Sequence, residues 1–311
     1  MCKSASSLRG TCCRACSTGR WTSDGLLLAS SRRGSMPMES VPTHFVQSSQ
    51  AELCVAELGA GEPLIFLHAG VADRRMWAAQ QQHLHTHHRT LAYDRRGFGA
   101  TRAVAEPFNA ITDLLNVMDD AGIERAVLIG CSMGGMLAAQ AAFLQPSRVR
   151  ALVLIASATG VEQPAPQHST IVQTRLAAIA AAEATGDVPA VNALQAQLWL
   201  DGPEQARVRV QGPARKLFLD MNGIALAAGD VGVAERGPSL IGKLQALELP
   251  VLLLAGEFDF PGINRAMADM AKVLPHSELH TLEGCAHLPS VERPDLINAF
   301  LTRFLRGLTD A

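Results

Sequence analysis

Several things are scarce in this chain. Aromatic residues make up only 5% of its 311 positions, so alanine and leucine do much of the packing in a core for which 48% apolar content is ample. Neither sign of charge is in excess: 27 Lys and Arg stand against 29 Asp and Glu, a formal charge of −2. With no basic face, a nucleic-acid partner is not expected. No run of 18 apolar residues occurs, so no membrane-spanning helix is expected. Cysteine is sparse where the chain reads as folded. Beyond residue 40 only Cys54, Cys131 and Cys285 occur, an odd set that suits a reducing compartment and a cytoplasmic location better than a disulfide framework. No internal repeat is visible.

The first 40 residues differ from the rest. Lys3, Arg9, Arg14, Arg20, Arg32 and Arg33 outnumber Asp24 and Glu39, serine is abundant and apolar periodicity is absent. Three readings compete: an Arg- and Ser-rich organellar transit peptide, a disordered tail, or a start at Met36 or Met38. Leu26 to Ala29 is too short an apolar core for a secretory signal. Residues 1–40 are therefore read as a disordered or non-native extension. Cys13 and Cys16 are separated by two residues there, but no second ligand pair follows, so zinc is not expected. His83, His85, His87 and His88 are read as a solvated helix end, since no carboxylate or cysteine joins them.

From residue 44 onward strand and helix signals alternate. Strand-like pieces fall at 44–48, 51–58, 63–67, 89–93, 125–130, 149–156, 250–255 and 277–282. Helical pieces fall at 74–85, 107–121, 133–145, 263–274 and 292–306. The helix at 107–121 shows apolar periodicity at Phe108, Ile111, Leu114, Leu115 and Met118. This alternation predicts an α/β fold: a mostly parallel eight-stranded sheet with helices on both faces, the first two strands forming an antiparallel edge. The pattern breaks at 158–248, where Pro164 and Pro166 lead into helix-like stretches near 168–185, 188–199 and 204–222. The expected organisation is a core of 41–157 and 249–311 with a helical cap at 158–248.

Chemistry enters at Gly130-Cys131-Ser132-Met133-Gly134. This Gly-x-Ser-x-Gly follows the apolar run Ala126 to Ile129 and precedes an alanine-rich helix, the strand–turn–helix context of a nucleophile elbow. Small residues beside the serine permit the sharp turn. The partners of such a serine follow in the order acid, then histidine. Pro250 to Gly256 reads as a buried strand, and Glu257-Phe258-Asp259 follows it. Asp259 is the preferred acid because it lies further past the strand end; Glu257 competes. After the strand-like Ser277 to Leu282, a loop brings His287. A histidine oriented by a carboxylate can take the hydroxyl proton of a serine, which is a poor nucleophile at neutral pH. The loop His68-Ala69-Gly70 after Leu64 to Leu67 would supply one oxyanion N–H from Gly70, with the other from Met133. His68 is read as a packing residue, and Cys131 as a small one.

Together these motifs resemble the α/β-hydrolase family with an inserted cap. The segments that carry the likeness are Leu67 to Gly70, Tyr93 to Thr101, Gly130 to Gly135, Asp259, and Gly284 to His287, spanning about residues 60 to 305. Ala69 stands where that family usually has glycine. The Asp94 to Gly99 turn is read as structural, with Arg96 tying loops together. The resemblance implies a serine hydrolase of the esterase and enol-lactonase branch acting on a small-molecule carboxylic ester or lactone, with catalytic Ser132, Asp259 and His287 and no metal or organic cofactor. Trp199, Phe218 and Met221 in the cap are candidates for the substrate pocket; Arg175, Arg207 and Arg209 are read as solvent-facing. Three alternatives stay open: hydrolysis of carbon–carbon bonds in ring-fission products, a ligand-binding protein on the same scaffold, and a transferase using the same acyl-enzyme. Leu288, where the carbon–carbon hydrolases often carry tryptophan, favours the ester. A homo-oligomer is left open.

Overall fold

The computed structural model describes residues 41–309 apart from 163, 164 and 166. The readings of residues 1–40, including Cys13 and Cys16, and of Pro164 and Pro166 lie outside the described residues.

Among the described residues nine strands form one sheet: β1 (Thr43–Ser48), β2 (Ala51–Leu58), β3 (Glu62–Leu67), β4 (His88–Tyr93), β5 (Arg102–Ala103), β6 (Ala126–Cys131), β7 (Val149–Ile155), β8 (Val251–Gly256) and β9 (Ser277–Leu282). Their order is β1-β2-β4-β3-β6-β7-β8-β9, with β5 paired to β2. β1 and β2 are the antiparallel edge, and every pairing from β4 to β9 along this path is parallel. The sheet thus has one strand more than the eight expected. The addition, β5, is two residues long, too short to carry a periodic signal.

The central strands are buried along their whole length in β6 and β8, as strands covered on both faces must be. Successive residues still serve opposite faces. Ile65 and Leu67 of β3 join one hydrophobic cluster while Leu64 and Phe66 join the other. The first cluster packs under α2 (Ala110–Asp120), α3 (Met133–Leu144) and α7 (Pro261–Val273), through Leu114, Met118, Leu137, Ala141, Met267 and Met270. The second packs under α1 (Ala78–Leu84) and α9 (Pro294–Thr309), through Leu84, Ile297, Leu301 and Phe304. A short helix, α8 (Pro289–Glu292), precedes α9.

Between β7 and β8 the chain forms α4 (Thr170–Ala184), α5 (Val188–Ala196) and α6 (Gly212–Ala227). Among the described residues of this insert, Ala234 alone takes part in β pairing, through an isolated bridge to Phe108. Ser169 caps α4 by accepting from the Val172 N–H, and Asp187 caps α5 by accepting from the Ala190 N–H. α5 passes into a π-helical turn at Gln197–Asp201.

Two helices begin later than their sequence signals. The expected helix at 107–121 starts at Ala110 because Asn109 caps it through the N–H groups of Ile111 and Thr112, which leaves Phe108 outside. The expected helix at 204–222 runs instead over 212–227, with proline in its first turn, where its missing N–H costs nothing. The segment before it is held by Asp201, whose Oδ1 accepts the N–H groups of Arg209 and Val210 at 2.9 Å each.

Candidate active site

The parallel strands deliver their following loops to one edge of the sheet, where ligands of open α/β sheets bind. Leu67 of β3 pairs with Gly130 of β6, Cys131 of β6 with Ile155 of β7, and Gly256 of β8 with Leu282 of β9. The turns carrying Gly70, Ser132, Asp259 and His287 therefore emerge side by side.

Ser132 has φ 53° and ψ −116°, a left-handed backbone that an L-residue adopts only at a cost of about 1–3 kcal/mol. The surrounding contacts enforce it. A Cβ on Gly130 would lie 2.4 Å from the Gly134 carbonyl, and one on Gly134 would lie 2.1 Å from the Leu67 carbonyl oxygen. Both positions require glycine for α3 to start directly against β3 and β6. The Ser132 N–H donates to the Ile155 carbonyl at 2.9 Å, and its own carbonyl accepts from the Ser157 hydroxyl at 3.1 Å. A Cβ on Gly135 would come within 2.6 Å of that hydroxyl. The Ser132 side chain makes no capping bond to α3, whose first N–H groups have no acceptor within the helix.

Asp259 and His287 meet directly. Oδ2 of the carboxylate is 2.8 Å from Nδ1 of the imidazole, and both side chains are buried. Oδ1 of Asp259 accepts the Phe260 N–H at 2.7 Å. Glu257, the competing acid, accepts instead from the Gly284 N–H at 2.9 Å on the exposed side of the loop. Gly256 brings the acid and histidine loops together, since a Cβ there would sit 2.0 Å from the Ala286 carbonyl oxygen. The histidine loop also reaches the serine turn: Cys131, next to Ser132, donates its thiol to the His287 carbonyl at 3.5 Å. Burial pushes the Cys131 thiol well above its ordinary range, and that of Cys285 up to about 12, so both stay protonated.

Gly70 and Met133 are adjacent. The Met133 sulfur lies 2.6 Å from where a Cβ of Gly70 would be. Ala69, where glycine was expected, is fully buried and keeps a negative φ, so alanine fits without strain. His68 is also fully buried. Its Nδ1 is bonded to the Ala69 carbonyl at 2.7 Å, and its Nε2 accepts the Arg95 N–H at 3.0 Å. Burial and the neighbouring Arg95 hold its pKa well below the ordinary imidazole value. It is a neutral strut of the loop. Arg96 bonds Asp113, Glu106 and the Ser48 carbonyl, joining β1, the loop before α2, and α2 itself.

The insert contributes Trp199. Its ring lies 4.7 Å from the imidazole of His287 and 5.0 Å from Phe260, and its carbonyl accepts the His287 N–H at 3.3 Å. Phe218 and Met221 are fully enclosed, in the hydrophobic cluster that also holds Ala69, Met76 and Leu200. Two arginines read as solvent-facing are not. Arg175 donates to the carbonyls of Gly202, Pro203 and Gln205, and Arg209 to those of Leu200, Asp201 and Gly284. Arg207 is exposed. The sequence gives no signal for Ser157, Arg209 and Glu292 as site-supporting residues, because each acts through backbone groups, which no residue type marks.

The family profile of the alpha/beta hydrolase fold matches residues 62–294. A pimeloyl-[acyl-carrier protein] methyl ester esterase of Nitrosospira multiformis is 26% identical over 263 residues, covering 83% of this chain and 99% of that protein. A Bacillus subtilis (strain 168) protein, provisionally named a 2-succinyl-6-hydroxy-2,4-cyclohexadiene-1-carboxylate synthase, is 28% identical over 284 residues, covering 84% of this chain and 97% of its own. Among solved structures, a thermophilic esterase from Thermogutta terrifontis matches with a TM-score of 0.68 at 24% identity, covering 86% of this chain and 98% of its own; that likeness is one of fold. The chain belongs to the α/β-hydrolase fold family. Among its described residues no helix is long and apolar enough to cross a membrane.

Proposed function

We propose that the protein is a serine hydrolase that cleaves a carboxylic ester or lactone through an acyl-enzyme on Ser132. The observation that carries this reading is the union of a left-handed serine at the β6–α3 turn with a buried Asp259–His287 pair at the same sheet edge. His287 takes the Ser132 proton as Oγ attacks the carbonyl carbon. The Gly70 and Met133 N–H groups receive the charge that develops on the carbonyl oxygen. Asp259 holds the Nδ1 proton and stabilises the imidazolium. The imidazolium returns its proton to the departing alkoxide, and water activated by the same nitrogen releases the acid. No step requires a cofactor. The 158–248 insert serves as a cap, with Trp199 as a wall of the site, while Phe218 and Met221 anchor the insert on the core.

The esterase among the relatives supports the ester reading. The synthase among them is named for a cyclic product rather than for an ester, so a second reading, hydrolysis of a carbon–carbon bond in a ring-fission product by the same residues, is tested beside the first. The test is kcat/KM measured side by side on an aryl ester, an enol-lactone and a vinylogous diketone, with Ser132→Ala as the control. Preference for the ester or lactone, abolished in the variant, is expected. Preference for the diketone moves the assignment to the second reading, and binding without turnover of any of the three moves it to a ligand-binding protein.

A further inference from the structure

The loop that presents His287 is gripped from outside itself. Glu292, at the end of α8, has a side chain only 1% exposed. Its carboxylate accepts the N–H of Ala286, at 2.9 Å to Oε2, and the N–H of Leu288, at 3.1 Å to Oε1. These are the amides immediately before and after His287. The amide of His287 itself donates to Trp199 in the π-helical turn of the insert. Three consecutive N–H groups therefore find their acceptors outside the loop, and the backbone that carries the imidazole cannot shift without breaking at least one of them.

Arg209 completes the grip. Its guanidinium is ion-paired with Glu292. It also donates to the Gly284 carbonyl at 2.6 Å, the Leu200 carbonyl at 2.7 Å and, through Nε, the Asp201 carbonyl at 3.0 Å. The same guanidinium lies 5.4 Å from the centre of the Phe258 ring, next to Asp259 in the acid loop. One side chain of the insert thus spans the histidine loop, the π-helical turn and the residue beside the acid. Only a planar fork with donors on all sides makes this set of contacts. Burial alone pushes the Glu292 carboxyl up, so holding it charged there relies on Arg209 and the two amides.

We infer that Arg209 and Glu292 are positioning residues: they form a clamp through which the helical insert sets the placement of His287 against Asp259 and Ser132. The inference rests on the serine-hydrolase reading for its activity readout, but its geometric content concerns the Asp259–His287 pair alone. Displacement of a reacting group by about 1 Å costs on the order of 100-fold in rate, so loosening this loop reaches the chemistry without touching substrate.

The test uses the full chain with Arg209→Ala, Arg209→Lys and Glu292→Gln. Aryl-ester kcat is expressed per Ser132 counted by a fluorophosphonate probe, which removes any contribution from misfolded protein. The low-field Nδ1 proton of His287 is followed by NMR in histidine-labelled protein. For Arg209→Ala and Glu292→Gln the expected result is a kcat per labelled site about 10- to 100-fold down with KM within about two-fold, and a broadened or lost low-field proton. Arg209→Lys keeps the charge but not the fork and should fall between these and the wild type. If Glu292→Gln is insoluble, the two Arg209 variants carry the same readouts. Either readout staying at its wild-type value overturns the clamp. A wild type that neither turns over the ester nor is labelled at Ser132 removes the hydrolase reading instead, and the low-field proton then decides the clamp by itself.

Discussion

Asp259 Oδ2 lies 2.8 Å from His287 Nδ1, while Glu257, two residues earlier, bonds the backbone of Gly284. Two carboxylates of one loop thus have separate tasks, and the enclosed one faces the imidazole. Asp259→Asn should keep the fold and reduce kcat on an aryl ester by about 10³–10⁴-fold, because an amide donor beside Nδ1 favours the wrong tautomer. Glu257→Gln should stay within a few fold, since one loop hydrogen bond at the surface is at stake. Steady-state kinetics on both variants check this; the reverse ranking would transfer the role of the acid to Glu257.

The elbow geometry makes a separate demand. A methyl group at position 134 would meet the Leu67 carbonyl oxygen at 2.1 Å and that of His68 at 2.8 Å. Backbone cannot yield as a flexible side chain does, so α3 must shift away from β3, moving Ser132 and Met133 with it. Gly134→Ala should lower stability by about 1–3 kcal/mol and lower kcat/KM by on the order of 100-fold. Urea titration followed by kinetics on the folded fraction checks both effects. Gly262, whose added Cβ would meet nothing within 4 Å, is the control position.

Arg96 offers a purely structural counterpart. Its side chain is 1% exposed and pairs with Glu106 and with Asp113, itself 5% exposed. Removing the cation leaves a buried carboxylate without its partner, a loss of about 3–5 kcal/mol. Arg96→Ala should lower the urea midpoint accordingly, while the activity of the remaining folded protein stays near wild type, because none of these groups touches Ser132, Asp259 or His287. A stability loss below about 1 kcal/mol would mean that water or a neighbour replaces the guanidinium.

The difference between what the sequence revealed and what it hid follows from the range of the interactions. The longer strands were legible because apolar runs and alternation are local, and so was the serine turn, whose glycines and flanking strand lie within a few residues. The order Ser132, Asp259, His287 was legible because the fold ties each residue to a strand end. β5 was not, since two residues carry no period. The start of α6 was misplaced: Glu204 to Gln211 alternates apolar and polar residues at Ala206, Val208 and Val210 and has no helical period, and Asp201 and Pro213 impose a different local structure there. Arg209 and Glu292 were out of reach: they pair with each other across 83 residues and otherwise with backbone carbonyls and amides, and backbone groups leave no mark of pairing in a sequence. Arg209 read as a surface charge for that reason.

Two buried groups, His68 and Asp94, give the stability curve opposing slopes. His68 has its pKa pushed well below the ordinary 6.5 by burial and by Arg95. Below pH 6.5 the unfolded chain therefore binds a proton that the native protein refuses, and stability falls as pH falls. Asp94 is raised from 3.8 to about 6 by burial and by the nearby Asp73. Between these values the native protein holds a proton that the unfolded chain has released, so this contribution to stability rises as pH falls. From pH 6.5 to 6 only His68 acts; below 6 the two oppose each other. The variant His68→Gln separates them. The stability difference between wild type and this variant should shrink as pH drops from 7 to 5, by up to about 1.4 kcal/mol per pH unit once below 6.5. The difference between wild type and Asp94→Asn should move the other way below pH 6. Urea unfolding at half-unit steps of pH measures both. A wild-type-minus-His68→Gln difference that is flat from pH 7 to 5 would mean that the imidazole takes up its proton in the native protein as it does in the unfolded chain, with the loop open enough to hydrate it.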